Sequence, residues 1–181
     1  SLCHRIVPRY RGRHVGNGIT LARFPVAPPR PATGVPVIVC VARFEPVKNH
    51  GQLIEAARLL AAQGQVFELR LIGGGEGQAR CEARVREAGL ESRVRFLGYR
   101  DDISAQLADS DIAVLTSRKE GIPRAALEAM AAGRPVVATR VTGTREVVRD
   151  GDTGLLVGID DAPELAAALT RLLADPTECA R

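Results

Sequence analysis

Two glutamates eight positions apart, Glu120 and Glu128, stand in the stretch KEGIPRAALEAMAAGRPVVAT (119–139). The first precedes a helix-forming run and the second lies inside it. Gly121 supplies flexibility, Pro123 suits the first turn of a helix, and RAALEAMAA is strongly helix-forming. The free N–H groups and positive dipole end near 121–125 make an anion site from backbone alone. Glu128 is too far into the helix to cap it and is suited to accept hydrogen bonds from neutral hydroxyls, such as a ribose diol. Glu120, at the loop, faces whatever the phosphates carry. Arg43 and Lys48, in RFEPVKNHG (43–51), supply cations for the same anion, arginine as a fork and lysine as a point charge.

These residues act together only if the fold brings them to one place. From Val35 onward, β-rich runs alternate with helical patterns. The expected strands are 35–42 (VPVIVCVA), 66–72 (VFELRLI), 93–97 (RVRFL), 111–117 (DIAVLTS), 135–139 (PVVAT) and 154–157 (GLLV). Most are continuous apolar runs, as parallel strands covered on both faces require. Helices are expected near 49–63, 76–88, 101–109, 123–132, 142–149 and 161–174. In the first, Leu53, Ile54, Ala57, Leu60 and Ala61 share one face at helical spacing. Six strand–helix units predict an α/β fold, a Rossmann-like, doubly wound, six-stranded parallel sheet. With strand order 3-2-1-4-5-6, ligands bind outside the carboxyl ends of strands 1 and 4, where the connections diverge. Arg43 and Lys48 follow strand 1, and Glu120 and Glu128 follow strand 4. The topology predicts two cations and two carboxylates around one crevice.

Bulk properties narrow the class. With 181 residues, 45% of them apolar and 25% charged, the chain suits one globular domain with a full core. No apolar run reaches membrane-spanning length, and SLCHRIVPRYRGRHVGNG has no signal-peptide h-region. Cys3, Cys40, Cys81 and Cys179 are far apart, which favours reduced thiols in a cytosolic protein over zinc or a disulfide framework. The net charge of +4 is weak evidence for nucleic acid, because there is no Trp and there are only four Phe and two Tyr. Anionic small molecules or a solvated basic surface explain it as well. Arg5, Arg9, Arg11 and Arg13 fit either an anionic membrane surface or an exposed basic arm. FPVAPPRPATG (24–34) is Pro-rich and reads as a linker, not a packed element. Both ends look cut. The expected organisation is a linker from a missing N-terminal domain over 1–34 and the α/β domain over 35–181.

Further stretches occur in order along nearly the whole chain: NGITLARF, VARFEPVKNHGQLIEAARLL, LIGGGEGQAR, VRFLGYRDDI, EAMAAGRPVVAT and REVVRDGDTGLLV. With Glu120 and Glu128, which match an E-x7-E signature, they resemble the donor-site lobe of the retaining glycosyltransferases of family 4. These are the glycosyl transferases group 1, and they have the GT-B fold. The resemblance implies that Arg43 and Lys48 contact the donor diphosphate and Glu128 the ribose. It also implies that Glu120 and the backbone of Gly121, Ile122, Pro123 and Arg124 approach the transferred sugar or its phosphates. Many members have Gly-Phe-Gly after the first glutamate, where this chain has Gly121-Ile122-Pro123. A Gly-Leu-Pro version, similar to enzymes that build lipid-linked surface glycans, is the nearer likeness. The family's acceptor-binding lobe, with its catalytic histidine, has no counterpart in these residues. His4, His14 and His50 do not replace it, and His50 is expected at the surface or in packing.

Other motifs compete for attention. GGGEGQ (73–78) follows strand 2, and a dinucleotide fingerprint would need glycine where Gln78 stands and a place after strand 1. Gly75 is therefore read as part of a turn lining the crevice. DSD (109–111) and DGD (150–152) resemble metal-holding triplets of another glycosyltransferase fold, but they lead into strand 4 and a turn, and no metal is expected. Tyr99 and Arg100 follow strand 3 on the ligand side, where base contact and a plain loop are equally open. The expected protein is the nucleoside-diphosphate-sugar-binding lobe of a retaining glycosyltransferase using a UDP-sugar and no cofactor. Its acceptor is a glycan or lipid-linked sugar, and its place is the cytoplasm, with the inner face of the membrane as a further option. The alternatives are a non-catalytic nucleotide-binding module and an NAD-dependent oxidoreductase lobe.

Overall fold

A computed structural model describes residues 18–28, 30 and 34–175. Six strands form one sheet: β1 Val37–Val41, β2 Glu68–Ile72, β3 Val94–Gly98, β4 Ile112–Leu115, β5 Val136–Thr139 and β6 Gly154–Val157. Their spatial order is β3-β2-β1-β4-β5-β6, and every neighbouring pair is parallel. The helices are α1 His50–Ala62, α2 Gln78–Glu87, α3 Ile103–Ala108, α4 Arg124–Ala131, α5 Thr142–Val147 and α6 Ala162–Ala174. The order and the helical layers are those the alternation predicts.

The continuous apolar runs are explained by two cores, one on each face of the sheet. On one face Ile38, Cys40, Leu69 and Leu71 meet Leu53 and Leu60 of α1 and Leu165 and Leu169 of α6. On the other, Val39, Ile72, Ala113 and Leu115 meet Leu107 of α3 and Ala126 and Ala129 of α4. Successive residues of a strand point to opposite faces, so a strand covered on both sides needs apolar residues at every position. Cys40, deep in the first core, has its thiol pushed up to about 12 by burial.

Four differences from the expectation have physical causes. The run 111–117 leaves the ladder after Leu115, because the backbone there bonds elsewhere: the Ser117 carbonyl accepts from Thr139 Oγ1, and the Arg118 N–H donates to the Val47 carbonyl at 2.8 Å. The helix expected to reach 149 stops at Val147, since Val148 is already extended at φ −102° and ψ 119°. Pro123 is the extended residue preceding α4 (φ −74°, ψ 107°), not a member of its first turn. The segment 24–34 is not merely a linker where it is described. Phe24 is buried in the second core, the Ala27 N–H donates to the Ala132 carbonyl at 3.2 Å, and Arg30 pairs with Asp111 at 2.6 Å. A Pro-rich stretch lacks any periodic signal, yet one aromatic and one arginine suffice to tie it down. Arg5, Arg9, Arg11, Arg13, His4, His14, Cys3 and Cys179 lie outside the described residues. No helix among the described residues is long and apolar enough to cross a membrane.

Candidate functional site

A cleft of about 1150 Å³ opens beyond the carboxyl ends of β1, β2 and β4, at the point where the winding direction reverses. Arg43, Lys48, Gly75, Tyr99, Arg100, Glu120, Ile122, Pro123, Arg124 and Glu128 all line it. Gly121, also expected there, is exposed and does not line it.

The wall after β1 and β2 is shaped by backbone. Gly73 has φ +146° and Gly75 φ +143°, conformations that favour glycine. A Cβ on Gly73 would stand 2.2 Å from the Ala42 carbonyl oxygen, and one on Gly77 would stand 2.7 Å from that of Phe44. The two loops are also bonded together, Phe44 N–H to Gly74 O at 2.9 Å and Gly77 N–H to Phe44 O at 3.0 Å. The first loop then makes a 3₁₀ turn over Pro46–Lys48, and Asn49 closes it in the left-handed region at φ 53°. Thr116 Oγ1 lies against the Lys48 and Asn49 carbonyls, at 3.0 and 3.1 Å, which anchors that turn to the end of β4.

The charged groups are paired with one another. Lys48 Nζ meets Glu120 Oε1 at 2.6 Å, with side-chain exposures of 22% and 12%. Ser117 Oγ donates to the same oxygen at 2.6 Å. Arg43 does not share this contact; it is 73% exposed and pairs with Glu45 at 2.8 Å. Glu128 is buried on α4 and, among the described residues, receives only Arg124 Nη2, at 3.3 Å. Tyr99 is 81% exposed at the rim. Beside it Arg100 forks onto Asp102, and that bond, helped by Gln106, holds the Asp102 carboxyl well below the usual carboxylate range. The expected cations and carboxylates are therefore at one cleft, but Lys48 and Glu120 face each other as well as the open space.

Backbone completes the polar surface. The first α4 amides with partners inside the helix are Ala126 and Leu127, both donating to Pro123 O. The N–H groups of Arg124 and Ala125 precede them, and both residues line the cleft. The loop carrying Glu120 is fixed from behind. A Cβ on Gly143, in the first turn of α5, would overlap the Gly121 carbonyl oxygen at 1.4 Å.

Ser117, Thr116 and Arg80 also belong to the cleft and were not among the expected site residues. Thr116 and Ser117 are the last residues of the expected strand 111–117, whose carboxyl end marks the switch point, and that position is the signal for them; Arg80, on α2, carries no such signal. His50 is 4% exposed and stacks on Phe44 at 4.5 Å between ring centroids, so it is a packing residue. Burial, followed by the charge of Lys48, pushes its pKa down to about 4. The D-x-D carboxylates serve structure: Asp109 pairs with Arg70, Asp111 with Arg30, and Asp150 accepts the Leu156 N–H.

The sequence model of the family described as glycosyl transferases group 1 matches residues 27–181. The lipopolysaccharide core biosynthesis glycosyltransferase LpsE of Rhizobium meliloti is 34% identical over 171 residues, covering 94% of this chain and 48% of that protein. The glycogen synthase of Mycobacterium tuberculosis is 35% identical over 169 residues, covering 92% of this chain and 41% of that protein. Among solved structures, Anabaena HepE in complex with UDP and glucose superposes with a TM-score of 0.81 at 27% identity, over 91% of this chain and 48% of that one. Sucrose-phosphate synthase of Thermosynechococcus elongatus gives 0.77 at 33% identity, over 90% of this chain and 43% of that one. The chain thus spans less than half the length of these relatives. It belongs to the glycosyl transferases group 1, with the Rossmann-like sheet of a GT-B lobe.

Proposed function

We propose that this chain is the donor-binding lobe of a retaining glycosyltransferase that moves a sugar from a UDP-sugar to an acceptor hydroxyl. The observation that carries the reading is the cleft at the switch point, where Lys48 and Glu120 stand beside the open amides of α4. The complex of HepE with UDP and glucose supports a uridine nucleotide. LpsE, named for lipopolysaccharide core synthesis, supports a surface or lipid-linked glycan as acceptor. That acceptor is held by a further lobe, and the full-length protein works in the cytoplasm, with the inner face of the membrane as a further option.

In this reading the diphosphate lies against the Arg124 and Ala125 amides, with Lys48 and Arg43 as counter-charges. Arg43 is exposed and turns from Glu45 to the phosphate when the donor arrives. Glu128 accepts the ribose hydroxyls, while Glu120 and the backbone of Ile122, Pro123 and Arg124 face the sugar. Tyr99 and Arg100 lie at the rim, and Gly75 lets the loops after β1 and β2 pack closely into one wall of the cleft. As the glycosidic bond breaks, negative charge grows on the leaving diphosphate, and preorganised donors stabilise it there more than in the ground state. No metal ion is needed for that step.

Titration calorimetry of the chain with UDP, GDP and uridine, with and without EDTA, tests the reading. UDP is expected to bind without metal and much more tightly than uridine. Strict dependence on added metal, or equal affinity for uridine and UDP, would overturn the phosphate clamp.

A further inference from the structure

Glu120 commits one of its two carboxylate oxygens to the protein itself. Lys48 Nζ and Ser117 Oγ both reach Oε1, each at 2.6 Å, and no described residue donates to Oε2. Ser117 is almost fully buried, at 2% exposure. It is held in turn by a chain of hydroxyls along the carboxyl edge of the sheet. Thr139 Oγ1, at the end of β5, donates to the Ser117 carbonyl, and Thr144 Oγ1, in α5, donates to the Thr139 carbonyl. The Val141 N–H donates to Thr144 Oγ1 at 3.1 Å, which closes the chain. Thr139 and Thr144 are buried, so each of these bonds leaves an unsatisfied group if it is lost.

This chain crosses β5, β4 and β1 in their spatial order and ends on the ammonium at the cleft. A lysine on four rotatable bonds has no preferred place of its own, and a carboxylate can offer either oxygen. The Ser117 hydroxyl removes that choice by holding Oε1 on the Lys48 side. We propose that Ser117 is a positioning residue of the donor site: it sets the Glu120 carboxylate so that Oε1 fixes Lys48 and Oε2 faces the incoming ligand. The nature of that ligand rests on the donor-lobe reading; the holding of Lys48 does not.

The test exploits composition, because the chain has only two lysines, Lys48 and the exposed Lys119. Limited acylation with an acetyl ester, followed by mass spectrometry, reads the ratio of Lys48 to Lys119 modification. Ser117→Ala is expected to raise that ratio by about tenfold, the equivalent of one lost hydrogen bond to a charged group. It should also weaken UDP binding several-fold while leaving the melting temperature within a few degrees. Ser117→Cys, which keeps the shape with a weaker donor, should fall between wild type and Ser117→Ala, and it carries the comparison if the alanine variant does not fold. A labelling ratio unchanged in a folded variant overturns the role of Ser117. If wild type fails to bind UDP while the ratio responds, the donor reading fails and the positioning role stands.

Discussion

The two walls of the cleft are built by opposite means. The wall after β1 and β2 is made by leaving side chains out, at Gly73, Gly75 and Gly77, so that two backbones touch. The wall after β4 and β5 is made by burying polar side chains, Ser117, Glu120, Thr139 and Thr144, that satisfy one another. The first kind has no room to adjust, and any added atom strikes a peptide group. The second tolerates small changes of shape but not the loss of a donor. Gly143 carries the first device into the second wall, where it lets α5 press on the Gly121 carbonyl.

The largest effect should come from the glycine wall. Gly73→Ala combines a φ of +146° with a Cβ 2.2 Å from the Ala42 carbonyl oxygen. It is expected to cost about 4 kcal/mol or more in urea denaturation. A loss under about 1 kcal/mol would mean that the two loops can separate freely.

Next comes acid, through His50 beneath the first loop. Its pKa in the folded chain is about 4, below the ordinary 6.5, so the unfolded chain binds the proton first. Stability from this group is full above about pH 6.5 and falls between 6.5 and 4, by on the order of 3 kcal/mol in total. His50→Leu should flatten the pH–stability curve across that window relative to wild type; parallel curves would contradict the burial of a neutral ring.

In the polar wall, Thr139→Val removes the donor to the Ser117 carbonyl and is expected to cost about 1–3 kcal/mol. A double-mutant cycle of Lys48→Met and Glu120→Gln should give a coupling of about 0.5–3 kcal/mol, since the two groups touch and are mostly buried. Additive losses would show that the pair does not persist in solution. The exposed Arg58–Glu55 pair on α1 sets the lower limit: Arg58→Ala should leave the urea midpoint unchanged within error, and a clear downward shift would contradict a solvent-screened pair.

Much of the fold was legible because each strand's apolar run is local information, and a buried parallel strand leaves no other choice of residues. The run PVVAT became β5 and GLLV became β6 within one residue. Boundaries failed where a tertiary partner intervened, as at Thr116 and Ser117, whose sequence continues a strand while the backbone there bonds elsewhere. Phe24 and Arg30 failed for the same reason, since Phe24 packs into a core shared with strands and helices farther along the chain and the partner of Arg30 lies 81 residues away. The site was legible as a set of residues, because topology alone brings the loops after strands 1 and 4 to one crevice.

Sequence by itself determined the layered sheet, the place of the cleft and the residue types within it, because periodicity and loop position follow from local chemistry. Only the tertiary structure decided the pairings inside that cleft. It joined Lys48 to Glu120 through a serine, left Arg43 at the surface on Glu45, and buried Glu128 with Arg124 as its sole described donor. A side chain several bonds long can reach many partners, and which one it takes depends on where other loops stop to within an ångström or two.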